Sequence, residues 1–288
     1  MEREGYVTDR ATATAVYLAM TLRKPLLVEG HPGVGKTELA KVMARMLGTE
    51  LIRLQCYEGL DVATSLYEWN YPKQLLHIKL EAGSGRSTDE KEAEIFSERF
   101  LLERPLLRAI RSTERSPVLL IDEIDRSDEE FEAFLLEVLS DYQVTIPEIG
   151  TVRATHAPHV VLTSNRTREI SEALRRRCLY LWVEYPTLTK ELNIVRAKVP
   201  GIDAELARQV AAFVQTVRRK KLAKRPGVAE TLDWARALIA LHVDTLDGDL
   251  VTETLGCFLK DEDDIRQLAE EIAQRGVGAF VSEGADAA

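Results

Sequence analysis

The sequence predicts an α/β fold with a largely parallel sheet, followed by an all-helical C-terminal domain. The first observation is a set of five short segments rich in β-branched and aliphatic residues: Pro25 to Glu29, Leu51 to Cys56, Val118 to Asp122, His159 to Ser164 and Leu179 to Glu184. Each reads as a buried strand. The second is that helical patterns lie between them, the alternation that builds a parallel sheet covered by helices. The third is that strand signals stop at about Thr187. Beyond it apolar residues recur three or four apart at Ile202, Leu206, Val210, Phe213 and Val217, then at Leu232, Ala235, Leu238 and Ile239. These observations divide the chain into an α/β domain over residues 1–187 and a helical domain over residues 188–288.

Two helices of the first domain are well marked. The helix after the first strand carries Leu39, Val42, Met43, Met46 and Leu47, a stripe expected to face the core. The helix after the third strand opens with Ser127-Asp128-Glu129-Glu130, a capping-box spacing, and continues with Phe131, Phe134, Leu135, Val138 and Leu139. Gly83 to Glu94 is polar and begins with Gly and Ser, so it reads as an exposed loop running into a helix. The tail from Ser282 to Ala288 is expected to fray.

Composition bounds the function. A chain of 288 residues with 45% hydrophobic content can supply a core for each domain. With 47 acidic and 38 basic residues the net charge is −9, which works against nonspecific binding to nucleic acid or anionic lipid. Met1-Glu-Arg-Glu-Gly has no apolar signal region, and no stretch approaches the roughly 18 apolar residues of a membrane span, so a cytoplasmic location is expected. Cys56, Cys178 and Cys257 are odd in number and far apart, which suits buried apolar roles rather than disulfides. His156 and His159 form an H-x-x-H pair with no third ligand nearby in sequence, and are read as loop and strand residues rather than a metal site.

The chemistry begins at Gly30-His31-Pro32-Gly33-Val34-Gly35-Lys36-Thr37, followed by Glu38. It matches the full G-x-x-x-x-G-K-[ST] pattern between an apolar strand and a helix, the context in which that pattern binds phosphate. The glycines let backbone N–H groups turn toward phosphate oxygens, and the positive end of the following helix favours the anion. Lys36 would reach the β- and γ-phosphates of ATP, and the Thr37 hydroxyl would coordinate Mg²⁺. Val118 to Glu123 supplies the second element, an apolar strand ending in adjacent carboxylates. Asp122 is the magnesium-side ligand and Glu123 accepts a proton from, or orients, the attacking water. Asn165 ends the next strand, at the carboxyl edge where ligands bind in such sheets, and would contact the γ-phosphate or the lytic water. Arg175, Arg176 and Arg177 precede the fifth strand, too concentrated for one core-facing role, so at least one is expected on the surface pointing to a neighbour.

With these motifs in view the chain resembles an AAA+ ATPase of the MoxR family, and most closely its CoxD-like branch. The similarity covers nearly the whole chain and rests on GHPGVGKT, LLIDEIDRS with LLEVLSDYQVTIPEIG, VVLTSN, ISEALRRRC and LQCYEGLDVATSLYEWNYPKQLLHIKL. It implies a P-loop NTPase αβα sandwich with sheet order 5-1-4-3-2, a helical lid, and a homo-oligomeric ring, usually of six subunits, with ATP between neighbours. Asn165 is then sensor 1. Arg177 is the first choice for an arginine finger acting on the neighbour's ATP, with Arg176 second. Such a finger contributes ~10³ to 10⁵ in rate, or about 4 to 7 kcal/mol. The usual sensor 2 arginine of the lid is replaced by Glu230 in Pro226 to Thr231, with Lys224 or Arg225 upstream as possible substitutes.

The resemblance further implies a chaperone-like remodelling ATPase that works with a von Willebrand factor A domain partner. For the CoxD-like branch the client is a metalloenzyme such as a molybdenum hydroxylase of the carbon monoxide dehydrogenase type. Tyr57 to Leu80, with Tyr57, Tyr67, Trp69 and Tyr71, is the candidate partner surface, against the plainer reading that these aromatics pack the chain's own core. A rival reading is a DNA-associated motor or loader, suggested by Arg218 to Arg225, where six of eight residues are basic. Such a run is more often a solvated helix end. A third reading is an ATP-gated binding switch.

Overall fold

The computed structural model describes residues 1–81, 87, 90 and 94–286. The loop expected over Gly83 to Glu94 therefore falls outside the described residues, apart from Ser87, Glu90 and Glu94. The chain partitions into two compact units, one of residues 10–29 and 40–181 and the other of residues 1–9, 30–39 and 182–288.

The first unit is built on the central sheet. Its strands are β1 (Leu26–Gly30), β2 (Leu51–Gln55), β5 (Val118–Asp122), β8 (His159–Ser164) and β9 (Leu179–Val183), in the order β2-β5-β8-β1-β9. Read from the other edge this is the 5-1-4-3-2 order that the resemblance implies. β5 is buried at every position, as a strand covered on both faces must be. Parallel pairing sets Leu119 opposite Val160 and Ile121 opposite Leu162, which brings the ends of β5 and β8 to the same edge.

Two further antiparallel strand pairs were not expected. β3 (Tyr67–Trp69) pairs antiparallel with β4 (Leu101–Glu103), and β6 (Gln143–Ile146) with β7 (Gly150–Arg153). Three-residue strands are too short to show a period. β6 does carry one, since Val144 and Ile146 are buried and alternate with outward residues.

Local details correct the sequence reading. On the helix Lys36–Leu47 the buried face is Leu39, Ala40, Val42, Met43 and Ala44, whereas Met46 is 42% exposed. The helix Glu129–Asp141 is capped by Asp128, whose side chain accepts the Phe131 N–H. Ser127 instead donates its hydroxyl to the Ile124 carbonyl.

The second unit has its own core, in which Phe213 and Trp234 lie 5.3 Å apart and Phe280 lies 5.4 Å from Phe213. Phe280 belongs to a last helix that runs from Val277 to Asp286, so the expected fraying of the tail does not hold as far as Asp286. Gly284 explains why that helix seats so closely. A Cβ there would lie 1.9 Å from the Ala212 carbonyl oxygen, so only glycine permits the approach. Among the described residues no helix is long and apolar enough to cross a membrane.

A buried ion pair pins this unit. Arg218 is 6% exposed and Glu191 is fully buried. The guanidinium donates to both carboxylate oxygens at 2.6 Å, Thr231 and Gln215 donate to the same carboxylate, and Nε of Arg218 reaches the Pro226 carbonyl at 2.7 Å. The head of the basic run is thus not solvated, because a bidentate partner and a carbonyl satisfy it in the interior. Lys220 is likewise paired with Glu271. Removing one member of such a pair leaves a buried charge uncompensated. Glu191→Ala is expected to destabilise the helical unit by about 3–5 kcal/mol, measured by chemical denaturation.

Candidate functional site

The phosphate-loop motif folds as a turn of unusual backbone, with φ of +73° at Gly33 and +94° at Gly35. Lys36, which opens the helix Lys36–Leu47, is 7% exposed. Its ammonium donates to the Gly30 carbonyl at 2.8 Å and the His31 carbonyl at 2.7 Å, so the loop encloses its own cation. His31 stacks on Tyr185 with ring centroids 4.6 Å apart. Thr37 is half-buried beside Lys36, and the Glu38 carboxylate accepts a hydrogen bond from Lys198 at 3.0 Å. Pro32 is exposed and Val34 is buried.

Within the same unit the loop touches the start of the helix Val228–Ala240. The N–H groups of Val228 and Ala229 donate to the Gly33 carbonyl at 2.9 and 3.2 Å. Glu230, which stands where relatives are expected to carry an arginine, accepts the Gly227 N–H at 3.0 Å and caps the helix. A Cβ on Gly33 would come within 2.8 Å of the Glu230 carboxylate. Arg225 is exposed, yet close enough to Tyr185 for its charge to act on that phenol, which burial pushes up overall.

The other unit carries the carboxylates. Asp122 ends β5 and is 3% exposed. One oxygen accepts the Thr163 hydroxyl at 2.5 Å, and the other accepts Nε and Nη2 of Arg53 at 3.0 and 2.6 Å. The Thr163 oxygen in turn accepts the backbone N–H of Glu123 at 2.9 Å. Glu123 has φ of +57° and ψ of +49°, the left-handed region. That conformation is costly for a side chain with a Cβ and persists where surrounding bonds over-determine it. Here Thr163 holds the amide, and Gln55 and Arg126 donate to the carboxylate at 2.9 and 3.1 Å. Asn165 follows β8 at this edge, and its N–H donates to Asp125 at 3.2 Å.

Four residues that shape this edge, Arg53, Gln55, Asp125 and Thr163, had no role in the sequence reading. Thr163 stood inside VVLTSN and Asp125 inside LLIDEIDRS. Only the strand order reveals that Thr163 lies beside Asp122. Cys56 follows β2 and is buried, as expected, and its thiol is pushed up to about 12 by burial and then by the charges of Asp122, Asp125, Glu123 and Glu132.

The three arginines differ. Arg175 donates to Glu29 at 3.4 Å, a carboxylate only 2% exposed that also accepts the Tyr180 hydroxyl at 3.0 Å. Arg176 pairs with Glu172 one turn away on an exposed face, a contact of small energy. Arg177 is exposed. The helix that bears them, Glu172–Arg177, is capped by Ser171, whose N–H donates to the buried Glu132 at 2.7 Å.

The aromatics of Tyr57 to Leu80 divide. Trp69 is 6% exposed and Tyr67 packs edge-on against it, whereas Tyr57 and Tyr71 are 45% and 58% exposed. The helix Tyr71–Leu80 buries Gln74 and leaves Leu75, Leu76 and Leu80 exposed, the reverse of an ordinary surface helix. Among the described residues, no group of three or more His, Cys, Asp and Glu side chains is arranged to hold a metal ion.

Comparison with known proteins places this geometry. An uncharacterized protein of Staphylococcus aureus is 26% identical over 227 residues, covering 76% of this chain and 77% of its own. One from Staphylococcus haemolyticus is 26% identical over 260 residues, 88% of each chain. Among solved structures, the Thermotoga maritima RuvB Holliday junction branch migration motor is similar with a TM-score of 0.46 at 21% identity, over 86% of this chain and 67% of that one. Residues 25–178, more than half of the chain, match the model of the AAA domain, dynein-related subfamily, and the chain belongs to that family.

Proposed function

We propose that this chain is an ATP-hydrolysing AAA+ protein of the MoxR type, CoxD-like branch. It would act as a chaperone-like remodelling factor for a metalloenzyme together with a von Willebrand factor A domain partner. The observation that carries the ATPase reading is the edge formed by Asp122, Glu123 and Asn165. A buried carboxylate is fixed by a hydroxyl and an arginine, and the next carboxylate stands in a left-handed backbone with its own polar supports.

In this reading the amides of Gly30 to Thr37 and the Lys36 ammonium bind the triphosphate. Thr37 and Asp122 are hard oxygen donors that fit Mg²⁺, which would neutralise developing charge on the phosphoryl oxygens. Glu123 takes the proton of the attacking water, and Asn165 orients that water or the γ-phosphate. Of the three arginines, Arg175 is engaged by buried Glu29 and Arg176 by its helical neighbour, which favours Arg177 as the finger directed to a second subunit of a homo-oligomeric ring. The division into an α/β domain to residue 187 and a lid from residue 188 belongs to the same reading.

The client and the von Willebrand factor A partner rest on the resemblance. Their surface on this chain is proposed at residues 57–80, where exposed Tyr57, Tyr71, Leu75, Leu76 and Leu80 offer apolar area. The basic run over residues 218–225 gives the nucleic-acid alternative less support, because Arg218 and Lys220 are engaged by acids.

Two outcomes test the ATPase reading. Lys36→Ala should abolish tight ATP binding in calorimetry, whereas Glu123→Gln should bind ATP and lose turnover by about 10² or more; turnover retained in the Gln variant removes Glu123 from the mechanism. Arg177→Ala should lose about 10³ in rate. Mixing it with the Glu123→Gln protein, whose arginine is intact, should restore phosphate release, and no recovery would move the finger elsewhere.

A further inference from the structure

We propose that Asp125 is the positioning residue that holds Asn165 in place. The proposal rests on the ATPase reading above and adds to it a residue outside the groups assigned to the nucleotide and the lytic water. Asp125 lies three residues after Asp122, in the short 3-10 turn Ile124–Arg126 that begins at left-handed Glu123, and is 3% exposed. One of its carboxylate oxygens accepts three hydrogen bonds, from the Asn165 N–H at 3.2 Å, the Thr167 N–H at 2.9 Å and the Thr167 hydroxyl at 2.7 Å.

The residue between those two amides explains why such a clamp is needed. Arg166 has φ of +58°, and its N–H is taken by the Ser164 hydroxyl at 3.0 Å. Three successive amides are thus satisfied by side chains rather than by a helix or a strand. A residue with a Cβ holds the left-handed region only when its surroundings leave no cheaper arrangement. Asp125 supplies two of the three amide acceptors. Without it the turn is free to relax, and Asn165 at its head would lose its orientation. The same carboxylate ties the short turn that follows Glu123 to the turn that begins at Asn165.

Among the described residues no donor reaches the other oxygen of Asp125. Asparagine can therefore offer its single carbonyl oxygen to the same three donors, which gives a conservative variant with a definite expectation.

The test uses the full chain and compares Asp125→Ala, Asp125→Asn, Asn165→Ala and the Asp125→Ala/Asn165→Ala double variant. Steady-state ATPase assays give kcat and KM, and hydrogen exchange is followed on peptides spanning residues 165–167. Asp125→Ala should lower kcat about tenfold or more with KM nearly unchanged, and the double variant should be no slower than Asn165→Ala alone. Asp125→Asn should stay within about threefold of the parent. Amides 165 and 167 should exchange at least about tenfold faster in the alanine variant. Losses that multiply in the double variant, or a parent-like kcat in Asp125→Ala, would overturn the proposal. If Asp125→Ala does not fold, Thr167→Ala removes the shortest of the three bonds and leaves the carboxylate. It should slow the parent and leave Asn165→Ala unchanged, and equal slowing of both would overturn the proposal. A parent that hydrolyses no ATP would remove the ATPase reading alone; exchange at residues 165–167 then decides for Asp125, and unchanged exchange sinks it.

Discussion

The parallel register between β5 and β8 governs the carboxylate edge. It sets Ile121 opposite Leu162, which brings Asp122 beside Thr163. One hydroxyl then serves two neighbours, donating to the Asp122 carboxylate and accepting the Glu123 amide. Displacing the pairing by one residue would turn every side chain of the strand to the opposite face and break this arrangement. The left-handed backbone of Glu123 is tolerated because Thr163 occupies its N–H while Gln55 and Arg126 occupy its carboxylate. Both turns that leave β5 and β8 thus carry a left-handed residue with a Cβ, Glu123 and Arg166, while β5 is buried throughout and β8 from Val160 onward.

The unit that carries the phosphate loop obeys a different constraint, closeness of backbone. Gly33 lies against the Gly227 turn, and Gly284 lies against Ala212, in both cases at distances that a Cβ would violate. Glu230 caps its helix and fills the space next to the loop, so its carboxylate has a structural task at the position where an arginine was expected. The ion pair of Arg218 and Glu191 ties three helices and the Pro226 turn together through four hydrogen bonds from the guanidinium.

Much of this could be read from the chain. The five central strands were legible because each is short and rich in aliphatic or β-branched residues between helical patterns, and their order was implied by the family resemblance. The phosphate loop was legible because its glycines and lysine have a fixed spacing set by anion chemistry. The two antiparallel pairs were not, since three-residue strands show no period and the alternation of β6 spans only four residues. Nor were Thr163, Gln55 and Asp125, whose work depends on which strands are adjacent, a property of the folded sheet rather than of local spacing. Arg218 was misread for the same reason. A basic residue in a basic run looks solvated until the buried glutamate facing it, 27 positions earlier, is located.

The thiol of Cys56 reports on its surroundings in a way that limits chemistry. Its pKa is pushed up to about 12, and burial raises Cys178 to the same range, so the thiolate is disfavoured at both positions near neutral pH. Alkylating reagents and mild oxidants act through the thiolate, so both positions are chemically quiet near neutrality. Maleimide labelling for fluorescence or spin-probe work is thereby steered away from Cys56 and Cys178.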